Sequence, residues 1–190
     1  MTAVRLHAPA TPSAPALLLR PWDPADADEL VELYQDDAMR RWTDADVADV
    51  AGAARWVRER QRGWESGDRL GFAVVESGAD GGHGERLAGH VLLKRAVPGG
   101  PSAEVGYWTA ARSRGRAVAP RALETLTDWA FAAFGDDGLE RLELVHQLDN
   151  TASCRVAQKC RYELTGRLPA APPAYPLDAH VHTRMREPAV

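Results

Sequence analysis

The stretch Ala103-Glu104-Val105-Gly106-Tyr107-Trp108-Thr109-Ala110-Ala111-Arg112-Ser113-Arg114-Gly115-Arg116-Ala117-Val118 changes character in its middle. Glu104 to Thr109 reads as a β-strand, and a helical period runs from Val118 to Phe134, burying Ala122, Leu126, Trp129, Ala130 and Ala133. The join carries arginines at 112, 114 and 116 around a single glycine, Gly115. A helix N-terminus offers free backbone N–H groups and a partial positive charge, favouring an anion by about 0.3–1 kcal/mol when exposed. Gly115 removes the side chain that would block close approach. Pro120 sits in the first turn, where a missing N–H costs little. The turn Arg112 to Ala117 therefore reads as a phosphate holder or as a solvated arginine-rich connection, and alone it leaves both open. It is neither a Walker A loop nor a Rossmann fingerprint, since it has one glycine and no Gly-Lys-Ser/Thr.

Upstream of this turn, Leu17 to Arg20 reads as a first strand, and residues 1–16, with three prolines, as a loose tail. A first helix follows with Leu30, Leu33 and Tyr34 on one face and Asp26 as its cap. A second spans about Ala48 to Trp64 and ends before Gly67. Phe72 to Val75 and Leu87 to Leu93 form a hairpin around the glycine-rich stretch Ser77 to Glu85, expected to be a mobile loop. Downstream come a strand at Leu142 to Val145, a short helix at Asn150 to Cys160, and two closing strands, Tyr162 to Thr165 and His180 to Met185, joined by a proline-rich loop. The order predicts a mixed α/β (α+β) domain with an antiparallel first half and a strand-helix-strand crossover. The expected organisation is a flexible tail over 1–16 and a single domain over 17–190.

A chain of 190 residues with 45% hydrophobic content suffices for one sizeable core. A net charge of −4 and a pI near 5.9 argue against a nucleic-acid binder and suit a cationic substrate. No stretch has signal-peptide or transmembrane length, so a cytoplasmic protein with no membrane partner is expected. Cys154 and Cys160 match no zinc spacing and read as free thiols. His180 and His182 share one face of a strand but have no third ligand in sequence, so no metal is expected. His90 and His146 read as structural histidines, and Cys154 as a small buried residue.

With Arg112, Gly115 and Ala117 in place, followed by Ala119, Arg121, Ala122 and Leu123, the chain resembles the GNAT superfamily of N-acetyltransferases, and within it the RimJ/RimL ribosomal-protein branch. Three further segments agree in order and spacing: Leu18 to Pro21, Ala103 to Trp108, and Asp149 to Ser153 with Val156 to Lys159. The resemblance spans about residues 17–186. It implies a splayed gap between the strands at Glu104–Thr109 and Leu142–Gln147, into which the pantetheine arm of acetyl-CoA inserts like an extra strand. The cofactor-binding residues it implies are Trp108, Thr109, Ala110, Arg112, Arg114, Gly115, Arg116, Ala117, Val118, Asn150 and Ser153. Arg161 departs from the family, standing where a glycine usually ends the short helix. A left-handed Arg161 would be strained, or that helix ends differently.

Acetyl transfer to an amine needs a neutral nucleophile, a donor for the developing oxyanion and a proton for the departing thiolate. Glu104, a carboxylate inside an otherwise apolar strand, is the candidate base, through water, with a plain solvent-face glutamate as the alternative. Asn150 and Ser153 start the short helix, where capping explains both. The resemblance adds that Asn150 anchors the pantetheine and Ser153 faces the thiol, orienting more than protonating. Trp42, in an expected loop, and Tyr175 are the substrate-pocket candidates, while Trp56 and Trp64 read as core. The expected partner is a primary amine, a protein N-terminus or a small molecule. A homodimer stays open, and a non-catalytic acyl-CoA-binding module is the alternative function.

Overall fold

The computed structural model describes residues 4–43, 47–76, 85–172 and 176–187. Their centre is an eight-stranded sheet of order β1-β2-β3-β4-β5-β6-β8-β7. The strands are β1 (Leu6–Ala8), β2 (Leu17–Pro21), β3 (Arg69–Glu76), β4 (Arg86–Lys94), β5 (Ser102–Thr109), β6 (Arg141–Gln147), β7 (Glu163–Leu168) and β8 (Ala179–Met185). The helices are α1 (Ala27–Leu33), α2 (Asp37–Trp42), α3 (Val50–Ser66), α4 (Val118–Phe134) and α5 (Thr151–Lys159). Residues 77–84, the expected mobile loop, lie outside the described residues.

Two apolar layers sandwich the sheet. On one face α4 lays Ala122, Leu123, Leu126 and Ala130 against Phe72, Val91, Val105 and Leu142. On the other, α1 and α3 bring Leu30, Tyr34, Trp56 and Val57 onto Trp22, Ala73 and Val75. Fully burying each such side chain is worth about 1.5–3 kcal/mol, so both helical layers are held by the stripes that sequence periodicity exposes. The sheet is antiparallel except where β5 runs parallel to β6, and α4 supplies that crossover.

This parallel pair positions the site. It is joined only from Ser102↔Arg141 to Val105↔Leu144. Beyond that point β5 continues on β4 to Thr109 and β6 continues on β8 to Gln147, leaving Gly106 to Thr109 and Val145 to Gln147 unpaired with one another. The twist of each outer sheet carries the two strand ends apart.

Several sequence expectations change. Leu6–Ala8 is not loose tail but an edge strand in register with Leu17–Leu19. Arg121 fastens the same segment, donating to the Pro9 carbonyl at 2.6 Å and the Pro15 carbonyl at 2.9 Å. Trp42 lies at the end of α2 rather than in a loop, because Asp36 caps that helix by accepting from Met39 N–H. Asp26 does not cap α1 with its side chain. Its carboxylate accepts both nitrogens of the Arg20 fork at 2.8 Å and the Asp23 N–H, a bidentate pairing stronger than one cap bond. Arg161 takes the strained alternative with φ +56. Tyr162 N–H bonds Ala157 O at 2.9 Å and Arg161 N–H bonds Gln158 O at 3.2 Å, a Schellman closure with arginine in the glycine position.

Candidate active site

The unzipped β5–β6 edge opens into a cavity of about 980 Å3. Its walls include Gly106, Tyr107 and Trp108 on one side of the split and Val145, His146 and Gln147 on the other. Main-chain direction alternates along a strand. Ala110 N–H donates to Ala88 O on β4 at 2.9 Å, so alternation directs the main-chain groups of Tyr107 and Thr109 toward the gap and those of Ala110 away from it. An extended arm entering the split therefore meets the open edge of a strand, the arrangement of β-augmentation.

Of the candidate residues, Glu104, Trp108, Asn150, Ser153 and Trp42 line this cavity, whereas Thr109, Ala110 and residues 112–118 do not. Tyr175 lies outside the described residues. Asn150 caps α5, its Oδ1 accepting from Ser153 N–H at 3.2 Å. Ser153 is buried and its Oγ accepts from the Tyr107 hydroxyl at 3.1 Å. Burial pushes the Tyr107 phenol up to about 12, against a smaller opposing effect of the Ser153 bond, so the ring enters as a neutral donor. Tyr107 escapes a sequence reading because alternation assigns it to the core face, opposite Glu104. It is on that face, and only the length of its side chain brings the hydroxyl to Ser153.

Glu104 is tied to Lys94 at 2.5 Å, directly across the β4–β5 ladder. Both side chains are partly exposed, so the pair is a cross-strand contact at the rim as well as a wall of the cavity. Beneath it, Trp22, Trp56, His90 and Trp108 form an aromatic floor with centroids 4.8–6.0 Å apart. His90 is held as expected of a structural histidine, its Nδ1 lying 3.0 Å from Trp22 Nε1 and 2.9 Å from Phe72 O. Burial, and then the nearby Arg60 cation, pushes its imidazole down to about 3. Arg60 stacks on Trp56 at 4.4 Å, and its buried Nε has no hydrogen-bond partner among the described residues.

The charges of the lining depart from the acidic body. Among the described residues the walls carry Arg41, Arg55, Arg60, Arg69 and Lys94 against Glu59 and Glu104. Cationic side chains thus outnumber carboxylates in the described walls, unlike in the chain as a whole. Trp42 is half-exposed at the mouth, with Arg41 stacked on it at 4.8 Å and bonded to Asp149 at 2.7 Å, which ties α2 to the loop before α5.

The turn from Arg112 to Ala117 follows β5, outside the cavity walls. Gly115 and Ala117 are both left-handed, at φ +75 and +57, and no N–H from Gly115 to Ala119 donates a hydrogen bond among the described residues. Left-handed Ala117 costs about 1–2 kcal/mol, so the open N-terminus of α4 is maintained against strain. Arg112, Arg114 and Arg116 reach away from it, to Glu29, Asp36 and Glu76. The three arginines thus brace the turn against α1, the cap of α2 and β3.

Contrary to sequence expectation, His180 and His182 do meet further donors: His146 and Cys154 join them, with ligand atoms all within 4.8 Å of one another. No spacing motif announces this group, because its members meet only through the β6–β8 register and the placement of α5.

A mixed sheet split between two parallel strands, with an open helix N-terminus following one of them, defines the class of this α/β domain. Residues 16–163 match the family model described as the acetyltransferase (GNAT) domain, and the chain belongs to that family. No curated protein matches the chain by sequence. Among solved structures, Mycobacterium smegmatis RimJ in complex with CoA-disulfide superposes with a TM-score of 0.77 at 21% identity, covering 96% of this chain and 86% of its own. The Salmonella typhimurium acetyltransferase that modifies the N-terminal serine of ribosomal protein L7/L12 gives 0.76 at 18% identity, over 95% and 99%. The microcin C7 self-immunity acetyltransferase MccE, in complex with acetyl-CoA and AMP, gives 0.76 at 19% identity, over 93% and 98%. The resemblance read from the motifs is thereby matched by the family and the fold.

Proposed function

We propose that this chain transfers the acetyl group of acetyl-CoA to a primary amine that carries an anionic group close by. The observation supporting transfer is the split itself. An open strand edge leads past Tyr107 and Ser153 into a cavity large enough for a second substrate, and an open helix N-terminus lies at its outer end. Acetyl-CoA, when bound, supplies an activated thioester. Tyr107 and Thr109 hold the pantetheine arm through their main chains, and the N–H groups from Gly115 to Ala119 take the pyrophosphate. Asn150 fixes the start of α5. Ser153, oriented by the Tyr107 hydroxyl, faces the thiol, whose pKa near 8.5 makes it a leaving group that needs little help.

Glu104 receives the amine proton through water, released from Lys94 as the acceptor enters. An α-amino group, with pKa about 7.7–8.0, is already partly neutral near pH 7.4 and suits this modest base better than a lysine at about 10.4. Arg55, Arg60 and Arg69, with no comparable excess of carboxylates in the described walls, favour an acceptor bearing a carboxylate or phosphate beside its amine. This supports an acidic N-terminal peptide or an anionic small molecule over a basic one. A cytoplasmic setting fits the two free cysteines.

The test is thiol release from acetyl-CoA across acidic, neutral and basic N-terminal peptides and small amines with and without a phosphate. Turnover with the anionic acceptors is expected, and Glu104→Gln lowers its rate while leaving acetyl-CoA affinity within about twofold. Acetyl-CoA binding without thiol release on any acceptor would instead establish a non-catalytic binding module, a reading that the Lys94–Glu104 pair favours. A preference for basic peptides would overturn the acceptor assignment alone.

A further inference from the structure

Between β6, β8 and α5, His146, which also lines the cavity, meets three side chains that the cavity does not account for: Cys154, His180 and His182. The β6–β8 register sets His146 opposite His180 and Leu144 opposite His182, and alternation turns all three imidazoles to the α5 face. The helix then lowers Cys154 onto them. Cys154 Sγ comes to 3.5 Å from His146 Nε2 and 3.4 Å from His180 Nδ1. A tetrahedral ion with bonds of about 2.0–2.1 Å to nitrogen and about 2.3 Å to sulfur holds its ligand atoms about 3.3–3.6 Å apart. Those two separations are therefore already at coordination spacing.

The rings are also oriented. His146 Nδ1 lies 2.9 Å from Gln147 O and His182 Nδ1 lies 3.3 Å from Tyr162 O. Each ring thus donates its Nδ1 proton to a main-chain carbonyl and keeps the lone pair on Nε2, which is how metal-binding histidines are fixed by their outer partners. His182 is 2% exposed, yet its Nε2 has no hydrogen-bond partner among the described residues. Ring stacking of His146 on His182, at 5.2 Å and 22°, explains why the imidazoles pack together. It does not explain why ligand atoms of three imidazoles and a thiol gather within 4.8 Å of one another.

We infer that His146, Cys154, His180 and His182 form a four-ligand site for a divalent late first-row metal ion, zinc being the fit for three imidazoles and one thiolate. Four protein ligands leave no open position, so the site is structural rather than catalytic. As the sulfur–metal bond forms, the Cys154 thiol gives its proton to solvent, and the three imidazoles bind in their neutral form. Cys154 immediately follows Ser153, so the ion pins the first turn of α5, and with it Ser153 and Asn150, to the sheet. The inference does not depend on the acetyl-transfer reading.

The experiment uses the full-length protein, stripped with a chelator under reducing conditions and titrated with Co2+. Expected are a thiolate-to-cobalt charge-transfer band and the strong visible bands of a four-coordinate ion, saturating at one ion per chain and displaced by Zn2+. Cys154→Ser abolishes the charge-transfer band, and His180→Gln weakens Co2+ binding by about tenfold or more. Both positions are only half-buried, and circular dichroism melts confirm that the variants fold. Cys160→Ser is the control, since that thiol is buried elsewhere, 3.3 Å from Pro120 O, and it leaves the spectrum unchanged. Zn2+ also raises the melting temperature of the wild type and not of Cys154→Ser. Absence of the charge-transfer band in the wild type, or its survival in Cys154→Ser, overturns the inference.

Discussion

Gly115 and Gly67 provide a matched pair for testing the phosphate turn. Gly115 has φ +75 and Gly67 has φ +77, and a Cβ added at either meets nothing within 4 Å. Alanine at either position therefore introduces no clash, only the left-handed backbone penalty of about 1–2 kcal/mol. The loss of unfolded-chain freedom offsets about 0.4–1 kcal/mol of it. A net loss of about 0.5–1 kcal/mol corresponds to about 1–4 °C in melting temperature for a chain of this size, the same for both variants. They differ in place: Gly67 ends α3 outside the cavity walls, while Gly115 stands before the open N-terminus of α4. A methyl there holds the pyrophosphate off the N–H groups, and losing one charge-assisted hydrogen bond of about 1.5–3 kcal/mol weakens binding about tenfold to a hundredfold. Thermal melts and calorimetric titration with coenzyme A read the two quantities separately. Gly115→Ala is expected to lose affinity at unchanged melting cost relative to Gly67→Ala. Equal coenzyme A affinity in the two variants would refute the assignment of the turn, whatever their stability.

Burial holds the His90 imidazole down to about 3 against 6.5 in the unfolded chain, so between those values the unfolded state binds the extra proton. Stability is complete above pH 6.5 and falls as pH drops, by about 2 kcal/mol at pH 5; urea midpoints at pH 7 and 5 should show this, and His90→Leu should flatten that part of the slope. Tyr107→Phe removes the donor to Ser153 and is expected to lower kcat about three- to tenfold with little change in KM for acetyl-CoA, in steady-state thiol-release assays. Asn150→Ala removes the α5 cap, costing about 1 kcal/mol in urea unfolding and raising KM for acetyl-CoA more than it lowers kcat.

What the residues made legible follows the range over which each feature is encoded. The bounds of α4 came out as read, Val118 to Phe134, because seventeen residues of periodic apolar spacing carry a signal that no neighbour is needed to interpret. α2 did not, since in its six residues only Met39 is buried, too little for a period. β1 is three residues long and held by main-chain pairing with Leu17–Leu19, which leaves no pattern in side chains. Residues 103–118 announced a strand, a glycine turn and a helix start. They could not announce where β5 and β6 part, because the last pair, Val105↔Leu144, joins segments on opposite sides of a crossover. The cationic side chains of the cavity wall are lost in the same way: Arg55, Arg60, Arg69 and Lys94 come from three elements, and summed over the chain they disappear into a net charge of −4.

Strain marks where the sequence serves the site at the expense of the fold. The non-glycine residues with positive φ among the described residues are Ala117 and Arg161, and each belongs to one of the two helices that flank the split. Ala117 precedes α4 and leaves its first N–H groups open. Arg161 ends α5 and returns the chain at once, so that Tyr162, fully buried, reaches Thr127 of α4 with its hydroxyl at 2.7 Å. That bond locks α5 to α4 from behind, while Asn150 and Ser153 at its front face the cavity. A longer α5 would carry Tyr162 past Thr127 and lose that bond. The two unfavourable backbones therefore have one consequence: the turn before α4 and the first residues of α5 are held in place across a gap that the sheet itself does not close.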